Sequence, residues 1–164
     1  MIDFIKIPEE RLKIFKEKGH ESQIEKLTGS KIDVNEDISI ESEDPLMLIR
    51  LKEALKAFGR GFDLDIALNL LDEEYYLETI NIQDFCGKSK DRMIVMKGRI
   101  IGTGGKTKRL IEKHTNVKIA IYGKTVSIVG RWDEVKMARH AIEGLLYGRK
   151  HTTVYRSLTE GNKW

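Results

Sequence analysis

Apolar and polar positions along the 164 residues follow one pattern twice. From Ile2 to Ile7 they alternate as in a half-buried strand, and Pro8 with Glu9 and Glu10 then opens a short helix carrying Leu12 and Phe15 on one face. Gly19 ends that helix. A second, over about 20–28, holds Ile24 and Leu27 at i, i+3 and stops at Gly29. Lys31 to Val34 and Ile38 to Ile40 then alternate at period two around Asn35 to Asp37, which predicts a hairpin. Asp44-Pro45 begins a long amphipathic helix with Leu48, Leu51, Leu55 and Phe58 facing inward. The order β-α-α-β-β-α returns downstream: a strand over Tyr76 to Phe85, a helix with Met93, Met96 and Ile100, and a glycine turn. A helix over about 106–115, a hairpin folded at Tyr122-Gly123-Lys124, and a helix over about 132–146 complete it.

The two stretches are related in sequence as well as in pattern. Lys13 to Gly19 lies over Arg99 to Gly105 at an offset of 86, and IEKLTGSKI at 24–32 lies over IEKHTNVKI at 111–119 at an offset of 87, with six of nine positions identical. The chain therefore reads as an α+β protein of two tandem units, 1–62 and 76–148. A short helical linker at 63–75 carries Ile66, Leu70 and Leu71, and a basic tail at 149–164 follows the second unit, with a last helical turn or two expected in it.

Charge separates the copies. Residues 1–85 carry 11 Lys and Arg against 20 Asp and Glu, a net −9, whereas residues 86–164 carry 18 against 6, a net +12. Counting Glu78 and Asp84 with the second copy leaves it at +10. A basic unit is the electrostatic footprint of a polyanion ligand, which an acidic unit would repel. Two oppositely charged units that simply dock are the alternative. No stretch approaches the roughly 20 apolar residues that span a bilayer, and the first residues lack the features of a signal peptide. A single cysteine, Cys86, excludes an intramolecular disulfide and a Cys-rich zinc site, so a reducing, cytoplasmic setting is expected.

The sharpest chemical feature is Ile100-Ile101-Gly102-Thr103-Gly104-Gly105-Lys106-Thr107-Lys108-Arg109. A glycine turn between helices lets backbone N–H groups approach a ligand, the helix start that follows favours an anion, and Lys106, Lys108 and Arg109 add formal charge. A phosphate is the guest these features suit. A dinucleotide fingerprint would need a preceding strand and Gly or Ala where Thr107 stands; a Walker loop would need glycine where Ile100 stands. Both fail. Helix, Gly-x-x-Gly turn, basic helix, hairpin and long helix instead match a KH domain of type I, whose turn clamps the backbone of single-stranded nucleic acid. In the first copy Lys16-Glu17-Lys18-Gly19 lacks the first glycine and places a carboxylate in the expected turn, so that unit is read as degenerate.

The run GRIIGTGGKTKRLIEKHTNVKIAIYGKTVSIVG, with GRKHTTVYRSL beyond the next helix, resembles the two-KH small-subunit ribosome assembly proteins of the partner-of-Nob-one type, in their archaeal form. The resemblance implies binding of single-stranded RNA near the 3′ end of the small-subunit ribosomal RNA, in maturation or early translation. It also implies contact with a protein such as a maturation endonuclease or an initiation factor. Carried over by position, Gly102, Thr103, Gly104 and Gly105 form the clamp, Lys106, Lys108 and Arg109 support phosphates, and Arg99 reaches the same backbone. Ile101 and the strand Lys118, Ile119, Ala120 and Ile121 form the surface against which bases lie. Ile101, Ile119 and Ile121 have plain core roles as their alternative. Arg131, Arg149, Lys150 and Arg156 read as flanking electrostatics or as a solvated basic face.

Catalysis finds no support in the pattern. Asp63, Asp65 and Asp72 to Glu74 sit at the two ends of a short helix, where acids suit the helix start, and the four histidines lack ligand spacing. No cofactor and no enzymatic activity are expected. Two readings remain: an RNA-binding module, and a protein-interaction scaffold in which the acidic copy recruits a basic partner. Under the first, Gly102→Asp or Gly105→Asp is expected to abolish RNA binding with the fold nearly intact.

Overall fold

A computed structural model describes residues 1–160; the last residues of the expected tail, 161–164, lie outside the described residues. The chain divides into Met1–Tyr75 and Tyr76–Trp164. On this division the net charges are −7 and +10.

In the first unit β1 (Ile2–Ile5) is followed by α1 (Glu9–Glu17), α2 (His20–Thr28), β2 (Lys31–Val34), β3 (Ile38–Glu41) and α3 (Pro45–Gly59). The sheet runs β1-β3-β2, with β3 antiparallel to both neighbours. Pro8 stands before the first turn of α1, where its missing N–H costs nothing, and the Asp44 carboxylate accepts the Leu46 N–H to cap α3. Leu48, Leu51, Leu55 and Phe58 are all buried, as their spacing requires, and so is Ile24. Leu27 is not: it stands 61% exposed on α2, because a helix of nine residues offers the sheet only a narrow stripe.

The expected linker is not free-standing. Its segment forms α4 (Leu64–Ala67) and a 3₁₀ turn over Leu68–Leu71, both packed on α3, with Phe62, Leu64, Ala67 and Leu70 buried. Apolar residues close together in a short segment could not stay in water, so 63–75 belongs to the first unit.

The second unit repeats the order: β4 (Tyr75–Asn81), a helical turn α5 (Gln83–Cys86), α6 (Lys90–Ile101), α7 (Lys106–Thr115), β5 (Lys118–Tyr122), β6 (Thr125–Arg131) and α8 (Trp132–Leu146). Its sheet runs β4-β6-β5. The first strand stops at Asn81 rather than Phe85, because the Asn81 side chain accepts the Gln83 N–H and turns the chain. Beyond α8 the basic tail forms a nine-residue helix, α9 (His151–Thr159), packed on α7 and α8. Val154 and Leu158, four residues apart on its inner face, enter the core of the second unit.

The units share more than topology. Gly29 and Asn116, 87 apart, both end their helices in the left-handed conformation, and Gly61 and Gly148, also 87 apart, both turn the chain after the long helix with φ of 106° and 99°. In each unit an arginine on the helix before the turn, α1 or α6, reaches across to the end of the long helix, α3 or α8. Arg11 donates from Nε to the Phe58 carbonyl at 2.9 Å and from Nη2 to the Phe62 carbonyl at 2.7 Å. Arg99 donates from the same atoms to the carbonyls of Leu145 at 2.8 Å and Arg149 at 2.5 Å. Phe58 and Leu145, like Phe62 and Arg149, are 87 apart, but the arginines are 88 apart. The pairing of the arginines thus sets the first helices 88 apart rather than 86, against 87 from Ile24 and Ile111 onward.

Two measurements check this packing. Leu158→Ala empties a buried position of the second core and is expected to cost about 2–5 kcal/mol in urea unfolding, whereas a solvated tail would lose nothing. In the first unit His20 sits edge-on to Phe15 and Phe58, with ring centroids 5.6 and 5.5 Å away, and its burial lowers its pKa. The unfolded chain then takes up the proton first as pH falls. Stability should be complete above about 6.5, the unfolded value, and decline toward the depressed folded value, a slope that His20→Phe should flatten.

Candidate nucleic-acid interface

α6 ends because Gly102 takes φ 74° and ψ 171°, which a residue with a Cβ rarely adopts. Its N–H still closes the helix on Gly98 at 2.9 Å, after which the chain turns through Thr103, Gly104 and Gly105 and enters α7. A Cβ on Gly102 would lie 2.7 Å from the Thr107 nitrogen and press on its hydroxyl. The turn thus packs directly on the first turn of α7, which no side chain caps. An uncapped start leaves N–H groups and the positive end of the helix dipole facing outward.

The cations around this turn divide by what they touch. Arg109 Nη1 donates to the Gly104 carbonyl at 2.7 Å, so this guanidinium buttresses the turn from the α7 side. Lys108 lies 3.9 Å from Glu112, whose carboxylate also accepts the Ile119 N–H at 2.9 Å. Arg99 is held by the two carbonyls at the end of α8, which makes it a strut beneath the turn rather than the free arm its position in sequence suggested. Lys106 is exposed, and among the described residues no hydrogen bond or ion pair holds it.

The apolar positions divide too. Ile101 is 37% exposed beside the turn, whereas Ile119 and Ala120 are buried and Ile121 is partly buried against the core; Lys118 points to solvent. Ile119 is thus the core residue that its alternative reading allowed. β5 is an edge strand, and the Ile119 N–H bonds to Glu112 rather than to β6. With alternation along an antiparallel strand, the main chain of Ile121 faces the same open side.

Sequence reasoning passed over an apolar strip on α6. Ile94 and Val95 are 68% and 60% exposed, and Ile94, Gly98 and Ile101 share one helix face leading to the turn. Their spacing was visible, but Met93, Met96 and Ile100 on the opposite face satisfied the expectation of a core-facing helix. Thr107, His151 and Tyr155 were also missed. Thr107 is buried and shares a 2.7 Å hydrogen bond with the Tyr155 hydroxyl, and His151 Nε2 lies 2.9 Å from the Arg99 carbonyl.

The first unit contains no such turn. α1 runs on through Lys16 and Glu17, and only Lys18 and Gly19 separate it from α2, against four residues from Gly102 to Gly105. The turn is missing because α1 runs on where α6 stops, which puts Glu17 in the helix rather than inside a turn.

A β-α-α-β-β-α unit whose glycine turn opens an uncapped basic helix has the build of a type I KH domain. Residues 76–163 match the family model for the second KH domain of PNO1, described as a eukaryotic type KH-domain, KH-domain type I. The chain is 36% identical over 165 residues to a KH domain-containing protein of Methanocaldococcus jannaschii, covering 96% of this chain and 72% of that one. Among solved structures it resembles Dim2p of Pyrococcus horikoshii, with a TM-score of 0.86 and 36% identity over 98% of this chain and 99% of that one. It also resembles a chain of the a/eIF2alpha–aDim2p–rRNA complex from the same organism, with a TM-score of 0.88 and 35% identity over 98% and 93%. The chain belongs to the PNO1/Dim2 family of KH proteins, and spans about half the length of the eukaryotic PNO1 proteins it matches.

The glycine geometry makes a direct prediction. Gly102→Ala meets both a left-handed φ and the Thr107 backbone, and should cost well over 2 kcal/mol in urea unfolding. Gly104→Ala, whose Cβ meets nothing within 4 Å, should cost only about 1 kcal/mol. The expectation that Gly102→Asp would spare the fold is corrected by the same contact.

Proposed function

We propose that the chain is a tandem-KH protein that binds single-stranded RNA near the 3′ end of the small-subunit ribosomal RNA, in ribosome maturation or early translation. It acts in the cytoplasm, by binding rather than by catalysis. The turn from Gly102 to Gly105, opening an uncapped helix with Lys106 exposed in a unit of net charge +10, carries this reading. Such a turn can meet a phosphate with backbone donors at close range, and the surrounding charge draws the strand in. The exposed Ile94, Gly98 and Ile101 strip and the edge strand β5 offer apolar contact and main-chain groups to the bases. A relative crystallised with rRNA supports the ligand class.

A second role falls to the first unit. With a net charge of −7 and no glycine turn it suits a basic protein surface, such as a maturation endonuclease or an initiation factor; the complex containing a relative and a/eIF2alpha favours this reading.

Fluorescence anisotropy of a labelled 3′-terminal segment of small-subunit ribosomal RNA tests the clamp. Two to four neutralised phosphates give a log–log salt slope of roughly −1.4 to −2.8. Gly104→Asp, which adds a carboxylate at a position with open space, should remove most of the affinity at an unchanged circular dichroism spectrum. Parental affinity in that variant would refute the clamp.

A further inference from the structure

Beside the glycine turn lies a cleft of about 480 Å³, within the range of small-ligand sites. α6 contributes Gly98, the turn Thr103, α7 Lys106 and Thr107, and α9 His151 and Tyr155; no carboxylate of the described residues lines it. It shares Gly98 with the α6 strip expected to receive bases and adds His151 and Tyr155 of α9 to that surface.

The cleft is built from fixed parts. The Tyr155 hydroxyl is tied to the buried Thr107 hydroxyl, and His151 is tied to the Arg99 carbonyl, so both rings are held before any ligand arrives. Their centroids are 6.0 Å apart and tilted by 60°. A held ring costs little entropy when a base stacks on it. Lys106, the cation at the turn with no partner among the described residues, stands at the same cleft.

The first unit supplies an internal control. It has a cleft of about 470 Å³ between α1, the start of α2 and α4, lined by Lys18, His20 and Phe58, and there Asp63 and Asp65 form part of the wall. Counted from the shared turn at Gly61 and Gly148, these acids stand where the second unit has Lys150 and Thr152. Both clefts have aromatic and cationic lining, and the unit without a clamp adds two carboxylates to it where the other has none among the described residues.

From this pairing we infer that α9 closes a second nucleotide subsite next to the clamp. A base of the single strand flanking the clamped nucleotides stacks on Tyr155 there, and its phosphate meets Lys106. The inference rests on the RNA-binding reading above and adds the C-terminal helix to the binding surface.

The experiment compares a four-nucleotide and an eight-nucleotide RNA from the 3′-terminal small-subunit sequence, on the full chain and on Tyr155→Leu, which keeps an apolar side chain against α7. In the parent, the longer RNA should bind more tightly than the shorter by a factor that falls about tenfold in Tyr155→Leu. An equal length-dependent gain in both proteins would overturn the subsite while leaving the clamp standing. Absence of binding to the eight-nucleotide RNA by the parent would overturn both. Photocrosslinking of the parent with 4-thiouridine at successive positions needs no variant. A flanking nucleotide should attach to the His151–Tyr155 peptide, and attachment confined to the turn, α7 and β5 would count against the subsite.

Discussion

A single backbone geometry at Gly102 governs the second unit. A positive φ with an extended ψ halts α6, and the absence of a Cβ lets the chain lie against the Thr107 nitrogen, so that α7 starts immediately beyond the turn. Everything offered to a ligand follows from that close approach: an uncapped helix start, main-chain donors without side-chain cover, and lysine and arginine gathered within one turn. Arg109 braces the turn from one side and Arg99 from beneath, so two of the cations that give the segment its charge hold its shape.

The first unit shows the same scaffold without that break. Its arginine strut, its left-handed helix end and its turn after the long helix all have counterparts in the second unit, yet α1 continues through the place where α6 stops. Structural bonds are thus common to both copies, and the difference lies in where the first helix stops and in the sign of the charge. This arrangement separates what holds the fold from what meets a ligand. The strut bonds add a side-chain donor to the Phe58 and Leu145 carbonyls, which also accept the Gly61 and Gly148 N–H groups, and so tie the end of the long helix in either unit whatever it binds.

Much of this was readable in the chain. Leu48, Leu51, Leu55 and Phe58 announced α3 because helical period and burial coincide over about three turns, and the two hairpins followed from alternation around short polar turns. The glycine turn was legible because few sequences place glycines between a helix and a run of lysine and arginine. Leu27 was misjudged since two apolar residues at helical spacing do not say which of them meets the sheet. The tail was underread for the opposite reason: Val154 and Leu158 sit at i, i+4, but the basic residues before and between them suggested solvent.

Local composition, by itself, determined the elements, their doubled order, the opposing charges and the place of the glycine turn, since each depends on residues near one another in the chain. Tertiary structure alone decided that Arg99 is a strut, that Glu112 occupies the Ile119 N–H, that 63–75 folds onto the first core, and that Tyr155 stands beside the turn. Each of these joins groups across a fold, up to 50 residues apart in the case of Arg99 and Arg149. Partner choice at such distances is set by which surfaces the packed elements bring together, and no periodicity records it.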